Sequence, residues 1–265
     1  MLRDITIGQY YAVESRIHRL DPRVKLMGTL IYIISLFIAK GIVGYVVAGL
    51  FLGVIIRISK VPLRYMMRGL KSIIFILLLS VSFNIFLTEG TVLVQIGFLH
   101  ITKEGLILAA WMAVRLVFLI LGSTVMTLTT TPNNLTDGLE KGLGFLKKIH
   151  VPVHEMSMMM SIALRFIPIL IEETDKIMKA QMARGADFET GTIIQKVKAM
   201  VPLLVPLFVS AFRRASDLAM AMEARCYHGG EGRTKMKPLC YRKQDLAAYS
   251  ILVLYLVSVV VLRFI

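Results

Sequence analysis

Five apolar stretches constrain this chain more than any other feature: about Leu26–Ala39, Ile42–Ile58, Ser72–Thr88, Leu106–Leu128 and Leu246–Leu262. A helix needs about 20 apolar residues to cross a bilayer, and roughly 17 at the least. The first stretch is short and must recruit its flanks. Only Lys40-Gly41 separates it from the second, which points to two antiparallel helices joined by a tight turn.

Basic residues orient the set. Arg16, Arg19, Arg23 and Lys25 precede the first stretch, and Arg57, Lys60, Arg64, Arg68 and Lys71 fill the connection between the second and third. The Thr88–Gly105 connection holds only Lys103, beside Glu89 and Glu104. The positive-inside rule then puts the N-terminus in the cytoplasm, ends the fourth span inside near Thr129 and leaves Ile265 outside. The polar Met1–Pro22 segment, with Asp4, Glu14 and Asp21, reads as no cleavable signal peptide.

The chain combines 56% hydrophobic residues with a formal charge of +14, a pairing a soluble domain rarely shows. A nucleic-acid binder would cluster its basic residues with aromatics, whereas here they flank apolar runs, so no nucleic-acid partner is expected. Cys226, Cys240 and His228 lack the paired spacing of a structural zinc site, and no metal is expected. Phosphate-binding Gly-rich loops, His-Glu-x-x-His and Gly-x-Ser-x-Gly are all missing from the sequence, so the chain does not read as an enzyme.

The segment from Thr129 to Asp245 is too charged to read as spans and too regular to be a loop. Thr131-Pro132-Asn133-Asn134 signals a helix start, opening a short helix to about Lys148. Val151-Pro152 marks a second start. From there Val153, Met156, Met160, Ala163, Ile167, Leu170, Thr174, Ile177 and Gln181 recur at steps of three or four, one face of a long amphipathic helix. Glu155, Arg165, Glu172, Glu173, Lys176 and Lys179 mark the other face, and Gly185 is its expected stop. Pro168 should bend it. A third helix runs from about Thr192 through Pro202 and Pro206 to Arg225. The expected architecture is an all-α integral membrane protein of about five transmembrane helices with a cytoplasmic domain of three amphipathic helices. Its parts are residues 1–128, 129–245 and 246–265.

Both long helices end in an Ala-Arg pair followed by a small residue, Ala183-Arg184-Gly185 and Ala224-Arg225-Cys226. A basic residue there complements the negative end of the helix dipole, worth a few tenths to about 1 kcal/mol. An arginine framed by small residues also protrudes, so that its planar donor fork can pair with a partner's carboxylate. From spacing alone the two readings stand level.

Within the spans, Arg115 and Asn84 are the polar candidates for contact with a membrane partner or with the bundle interior. A mid-span charge costs at least about 2.5–3.5 kcal/mol, so Arg115 should face a partner or water. Met156, Met159 and Met160 belong to a methionine-rich face that suits core packing or a surface that re-packs against different partners. His150 and His154 read as surface residues on either side of Pro152.

The chain resembles the EcfT family, the transmembrane coupling subunits of energy-coupling factor (ECF) transporters. The resemblance rests on Ser15-Arg16-Ile17-His18-Arg19-Leu20-Asp21-Pro22-Arg23-Val24-Lys25-Leu26, on Thr129-Thr130-Thr131-Pro132, on Leu164-Arg165-Phe166-Ile167-Pro168, on Ala180-Gln181-Met182-Ala183-Arg184-Gly185-Ala186 and on Ala221-Met222-Glu223-Ala224-Arg225-Cys226-Tyr227. It implies an assembly with two cytoplasmic ABC-type ATPases (EcfA and EcfA′) and a membrane-embedded S component that captures the substrate. ATP and Mg would be bound by the ATPases, with no cofactor in this chain. The family's two Ala-Arg-Gly motifs dock one into each ATPase, which would give that role to Arg184 and Arg225. Cys226 departs from the motif's glycine. The extended N-terminal signature favours a shared, vitamin-type module over a dedicated cobalt or nickel one; a stand-alone secondary carrier would show more mid-membrane polar groups than Arg115 and Asn84.

Overall fold

A computed structural model of the chain describes residues 10–96, 99–188, 192–229, 236 and 238–264. Their order is α1 (Pro22–Ile38), α2 (Gly41–Ser59), α3 (Leu63–Leu87), β1 (Val92–Ile96), β2 (Leu99–Thr102), α4 (Lys103–Thr129), α5 (Pro132–Gly142), a 3-10 turn (Gly144–Ile149), α6 (Val153–Ala183), α7 (Ile193–Glu223) and α8 (Lys243–Phe264). The protein is an all-α membrane protein apart from one small hairpin, in which β1 and β2 pair antiparallel with Gln95 opposite His100. The sequence reading treated that hairpin as a plain connection, although its Val, Ile and Thr content favours strands.

Among the described residues five helices are long and apolar enough to cross a membrane: α2, α4, α6, α7 and α8. A sixth joins them if the arms of α3, Leu63–Lys71 and Ile73–Leu87, bent by 59°, form one span. With 17 residues, α1 lies at the lower limit. Charge is expected to exclude α6 and α7 from spanning, yet both pass on length and composition. Glu172, Glu173, Asp175, Lys176 and Lys179 crowd the later half of α6, which leaves its first half largely apolar. Length and composition alone therefore admit both.

The chain divides into two compact units, one of Gly8–Leu139 with Leu239–Ile265, the other built on Glu140–Pro238. In the first, α1, α2, α4 and α8 pack around Tyr32, Leu36, Ala48, Leu52, Val125 and Tyr255. Gly122 lets α4 approach α1, since a Cβ there would lie 2.7 Å from the Tyr32 ring. Inside this apolar core Ser35 donates to the Tyr32 carbonyl at 2.7 Å, and its oxygen lies 2.7 Å from the Tyr255 hydroxyl.

A polar knot ties the first unit together. Asp21 caps α1 by accepting from the Arg23 backbone N–H at 2.9 Å, and it accepts again from Arg23 Nε and Nη2 at 3.0 Å each. Burial alone would raise the Asp21 carboxyl, but the bonds and charge of Arg23 outweigh it and hold it below the usual carboxylate range. The Asp21 N–H donates to Asp245 Oδ1 at 2.8 Å, and Arg242 N–H donates to Asp245 Oδ2 at 2.7 Å. Asp245 is only 1% exposed. Arg23 also lies 3.9 Å over the Tyr241 ring. Nearby, Lys25 Nζ donates to the carbonyls of His18 and Thr129 at 3.1 and 2.8 Å. The basic and acidic residues of the Ser15–Leu26 signature thus close the bundle at one end.

His18 belongs to the same closure. Its Nε2 lies 3.0 Å from the Tyr11 carbonyl, which can only accept, so that nitrogen carries the proton. Nδ1 is then free to accept from Ser15 Oγ at 2.7 Å, as a neutral imidazole does. Burial, with Lys25 adding to it, lowers the His18 pKa and favours that neutral form.

Candidate functional site

The site is built in the second unit by α6 and α7. Thr192 caps α7 in a capping box with Gln195, whose side chain accepts from the Thr192 N–H at 2.9 Å. Arg214 pairs with Glu173 at 2.7 Å, and Gln181 Nε2 donates to the Pro202 carbonyl at 3.4 Å. The second bond has a local cause. Pro206 has no N–H, so the Pro202 carbonyl loses its helix partner and Gln181 supplies a donor from outside. Later residues of α6 meet earlier residues of α7, so the two helices run antiparallel.

Both helices end in the same way. At the end of α6 the N–H of Ala186 reaches back to the Gln181 carbonyl and that of Gly185 to the Met182 carbonyl, each at 3.0 Å. Gly185 takes the left-handed conformation with φ +89°. At the end of α7 the N–H of Tyr227 reaches the Met222 carbonyl at 3.1 Å and that of Cys226 the Glu223 carbonyl at 2.8 Å. Cys226 occupies the left-handed position with φ +53°. These paired bonds form a Schellman cap, and in both helices the arginine sits one residue before the left-handed turn. Ala183, Arg184 and Gly185 are exposed, as are Ala224, Arg225 and Cys226.

The departure of Cys226 from glycine therefore changes the residue and keeps the backbone. A side chain in the left-handed region costs about 1–2 kcal/mol, and the two cap bonds hold it there. Cys226→Gly is expected to stabilise the end of α7 by about 1 kcal/mol while leaving the position of Arg225 unchanged. Slower hydrogen exchange at the Tyr227 amide would report it; faster exchange would show that the cysteine side chain contributes contacts worth more than the strain.

The two ends differ in their surroundings. A cavity of about 610 Å³ adjoins Arg225 and is lined by Arg165, Met158 and Ile162 of α6 and by Cys226 and His228. Since Arg225 lies opposite the region near residue 161, roughly 23 residues of α6, about 35 Å of helix, separate the two arginine tips.

The other expected positions belong to other segments. Arg115 donates from Nε to the hydroxyl of the buried Tyr45 at 2.9 Å and lies 5.4 Å from the Phe37 ring, so its partners are on α2 and α1. Asn84 donates to the Ser80 carbonyl of its own helix at 2.8 Å. Met156, Met159 and Met160 are exposed on the first turns of α6. His154 is corrected from a surface residue to a packed one. Its side chain is 20% exposed and pairs with Glu140 at 3.0 Å, and Ser157 donates to the same carboxylate at 2.9 Å. Sequence reasoning missed this because Glu140 belongs to α5, and the contact forms only after the chain turns at His150, which takes a positive φ of 61°.

Residues 14–236 match the sequence model of the family CbiQ, described as "Cobalt transport protein". The chain is 55% identical to the energy-coupling factor transporter transmembrane protein EcfT of Clostridium kluyveri over 262 residues, covering 98% of this chain and 97% of the relative. It is 51% identical to the EcfT of Thermosediminibacter oceani over 264 residues, covering all of both chains. With the EcfT of Bacillus subtilis the identity is 50% over 246 residues, covering 92% of this chain and 93% of that one.

Proposed function

The chain belongs to the CbiQ/EcfT family of transporter membrane proteins, and from that premise we propose that it couples two cytoplasmic ATPases to a substrate-capturing S component in an ECF importer. The observation that carries the reading is the pair of matching helix ends. Arg184 and Arg225 each stand exposed at the C-terminal cap of a long helix, on a backbone whose hydrogen bonds are already made. Capping of the helix dipole alone would not call for the same motif twice. An exposed guanidinium fork on a rigid turn suits bidentate pairing with a carboxylate in a partner's groove.

In this reading α6 and α7 lie along the cytoplasmic face of the membrane, and each tip enters one ATPase. ATP and Mg are held by those ATPases. Closure of the ATPase pair shifts the tips, and the shift passes along α6 to the exposed Met156, Met159 and Met160 face beneath the S component. The shift does work only if the contacts differ between the open and closed ATPase states. Arg115 and Asn84, bonded within their own bundle, serve its stability in this scheme.

The family's description as a cobalt transport protein favours a second reading, a permease subunit dedicated to cobalt or nickel. One experiment bears on both. Purification of the tagged chain from detergent should bring down two ABC-type ATPases together with small membrane proteins of several substrate classes. A single metal-specific S component would select the dedicated reading. Uptake by the chain reconstituted alone would refute coupling altogether.

A further inference from the structure

A groove of about 280 Å³ runs along α1 within the first unit, at the end where the polar knot lies. Its walls are apolar, with Val24, Phe51, Val125 and Leu252 from four different helices. It opens sideways past Val54, Ile58 and Ile251, all of them exposed, so in a membrane it faces lipid chains. Besides Thr29 and Thr129, whose hydroxyls donate to carbonyls of their own helices, two polar groups interrupt this lining. Lys25 stands toward the basic end, and Tyr32 lies two helical turns deeper, about 10 Å along α1. Tyr32 is only 4% exposed, and its hydroxyl has no hydrogen-bond partner among the described residues. A buried hydroxyl left unpaired is costly, so it marks a place where an acceptor is missing.

Among the described residues the mouth of the groove has a single sign of free charge. Arg57 is exposed beside Ile58, and Arg16, Lys60, Arg242 and Lys243 are exposed at the same helix ends. The acids at that end are engaged: Asp21 and Asp245 are buried in hydrogen bonds, and Glu14 pairs with Arg19 at 2.6 Å. Lys25 uses two of its three donors on carbonyls, which leaves one for a ligand.

We propose that this groove binds one anionic phospholipid, with an acyl chain along α1, the phosphate at Lys25 and the basic rim, and an ester carbonyl accepting from the Tyr32 hydroxyl. The apolar length suits a chain, the rim suits a negative head, and the ester carbonyl is an acceptor that lipids carry below the headgroup. A free fatty acid offers the charge and the chain without that second acceptor.

The full chain, placed in nanodiscs of equal phosphatidylglycerol and phosphatidylcholine and then extracted in mild detergent, tests this by native mass spectrometry. The wild type is expected to retain one phospholipid, with phosphatidylglycerol preferred by about five-fold or more, the gain expected from a single basic contact. Ala248→Phe fills the groove and should abolish retention, with helix content by circular dichroism unchanged. Tyr32→Phe removes one oxygen and should weaken retention of both lipids about five-fold, the worth of a single hydrogen bond, without altering the preference. Arg57→Gln should reduce the preference. Equal retention of the two lipids by the wild type overturns the proposal, as does undiminished retention in Tyr32→Phe. Full retention in a folded Ala248→Phe, or displacement of phospholipid by added oleate at equal concentration, does so as well.

Discussion

Replacing Arg184 and Arg225 together by alanine is expected to release both ATPases from the chain and to reduce ATP-driven uptake to background. The capping hydrogen bonds of both helices are backbone bonds, so truncation beyond Cβ leaves the two turns standing. What is lost is a charged, bidentate contact at each partner. Truncating one member of a buried interfacial charge pair costs about 2–5 kcal/mol, much of it from the carboxylate left behind. Each single variant should therefore weaken its own ATPase by more than ten-fold, and the double variant should lose both. Co-purification and uptake in proteoliposomes read the two effects separately. Survival of both assembly and uptake would sink the docking role. Survival of assembly with loss of uptake would mean that the arginines transmit motion more than they hold partners.

The second large effect is expected at Asp245, in the other unit. Asp245→Ala leaves the backbone N–H groups of Asp21 and Arg242 without their acceptor in a site that is 1% exposed at Asp245. Each bond to a carboxylate is worth about 1.5–3 kcal/mol, and the stranded donors add their own cost. A loss of about 3–6 kcal/mol is expected, seen as a lower midpoint of thermal unfolding in detergent and as easier proteolysis before Pro22. Asp245→Asn keeps one acceptor oxygen and should recover part of the loss. An unchanged midpoint for Asp245→Ala would mean that water satisfies these donors.

These two sites were legible in the sequence to different degrees. The arginine ends are local. Residues three to five apart make every bond of each cap, so the glycine after Arg184 announced its turn in advance. The knot is not local. Asp21 and Asp245 stand 224 positions apart, and the Ser15–Leu26 signature could be quoted without any account of what it holds. Helix boundaries show a related effect. The third apolar stretch was read from Ser72, yet α3 starts at Leu63, because Arg64, Arg68 and Lys71 are good helix formers that interrupt only the apolar pattern. Cys226 went the other way. Its side chain argued against a left-handed turn, and the cap bonds of Tyr227 and Cys226 impose one.

The antiparallel course of α6 and α7 has a geometric consequence. Two antiparallel helices that finish in the same cap are exchanged, to a first approximation, by a half-turn about an axis perpendicular to both. Paired subunits of a closed dimer are related by an axis of that same kind. One unsymmetrical polypeptide can thereby meet a two-fold partner on equal terms at both arms. Any preference for one seating over its half-turn alternative has to arise where the arms differ, at Gly185 against Cys226 and in the cavity beside Arg225 that contains Arg165 and His228.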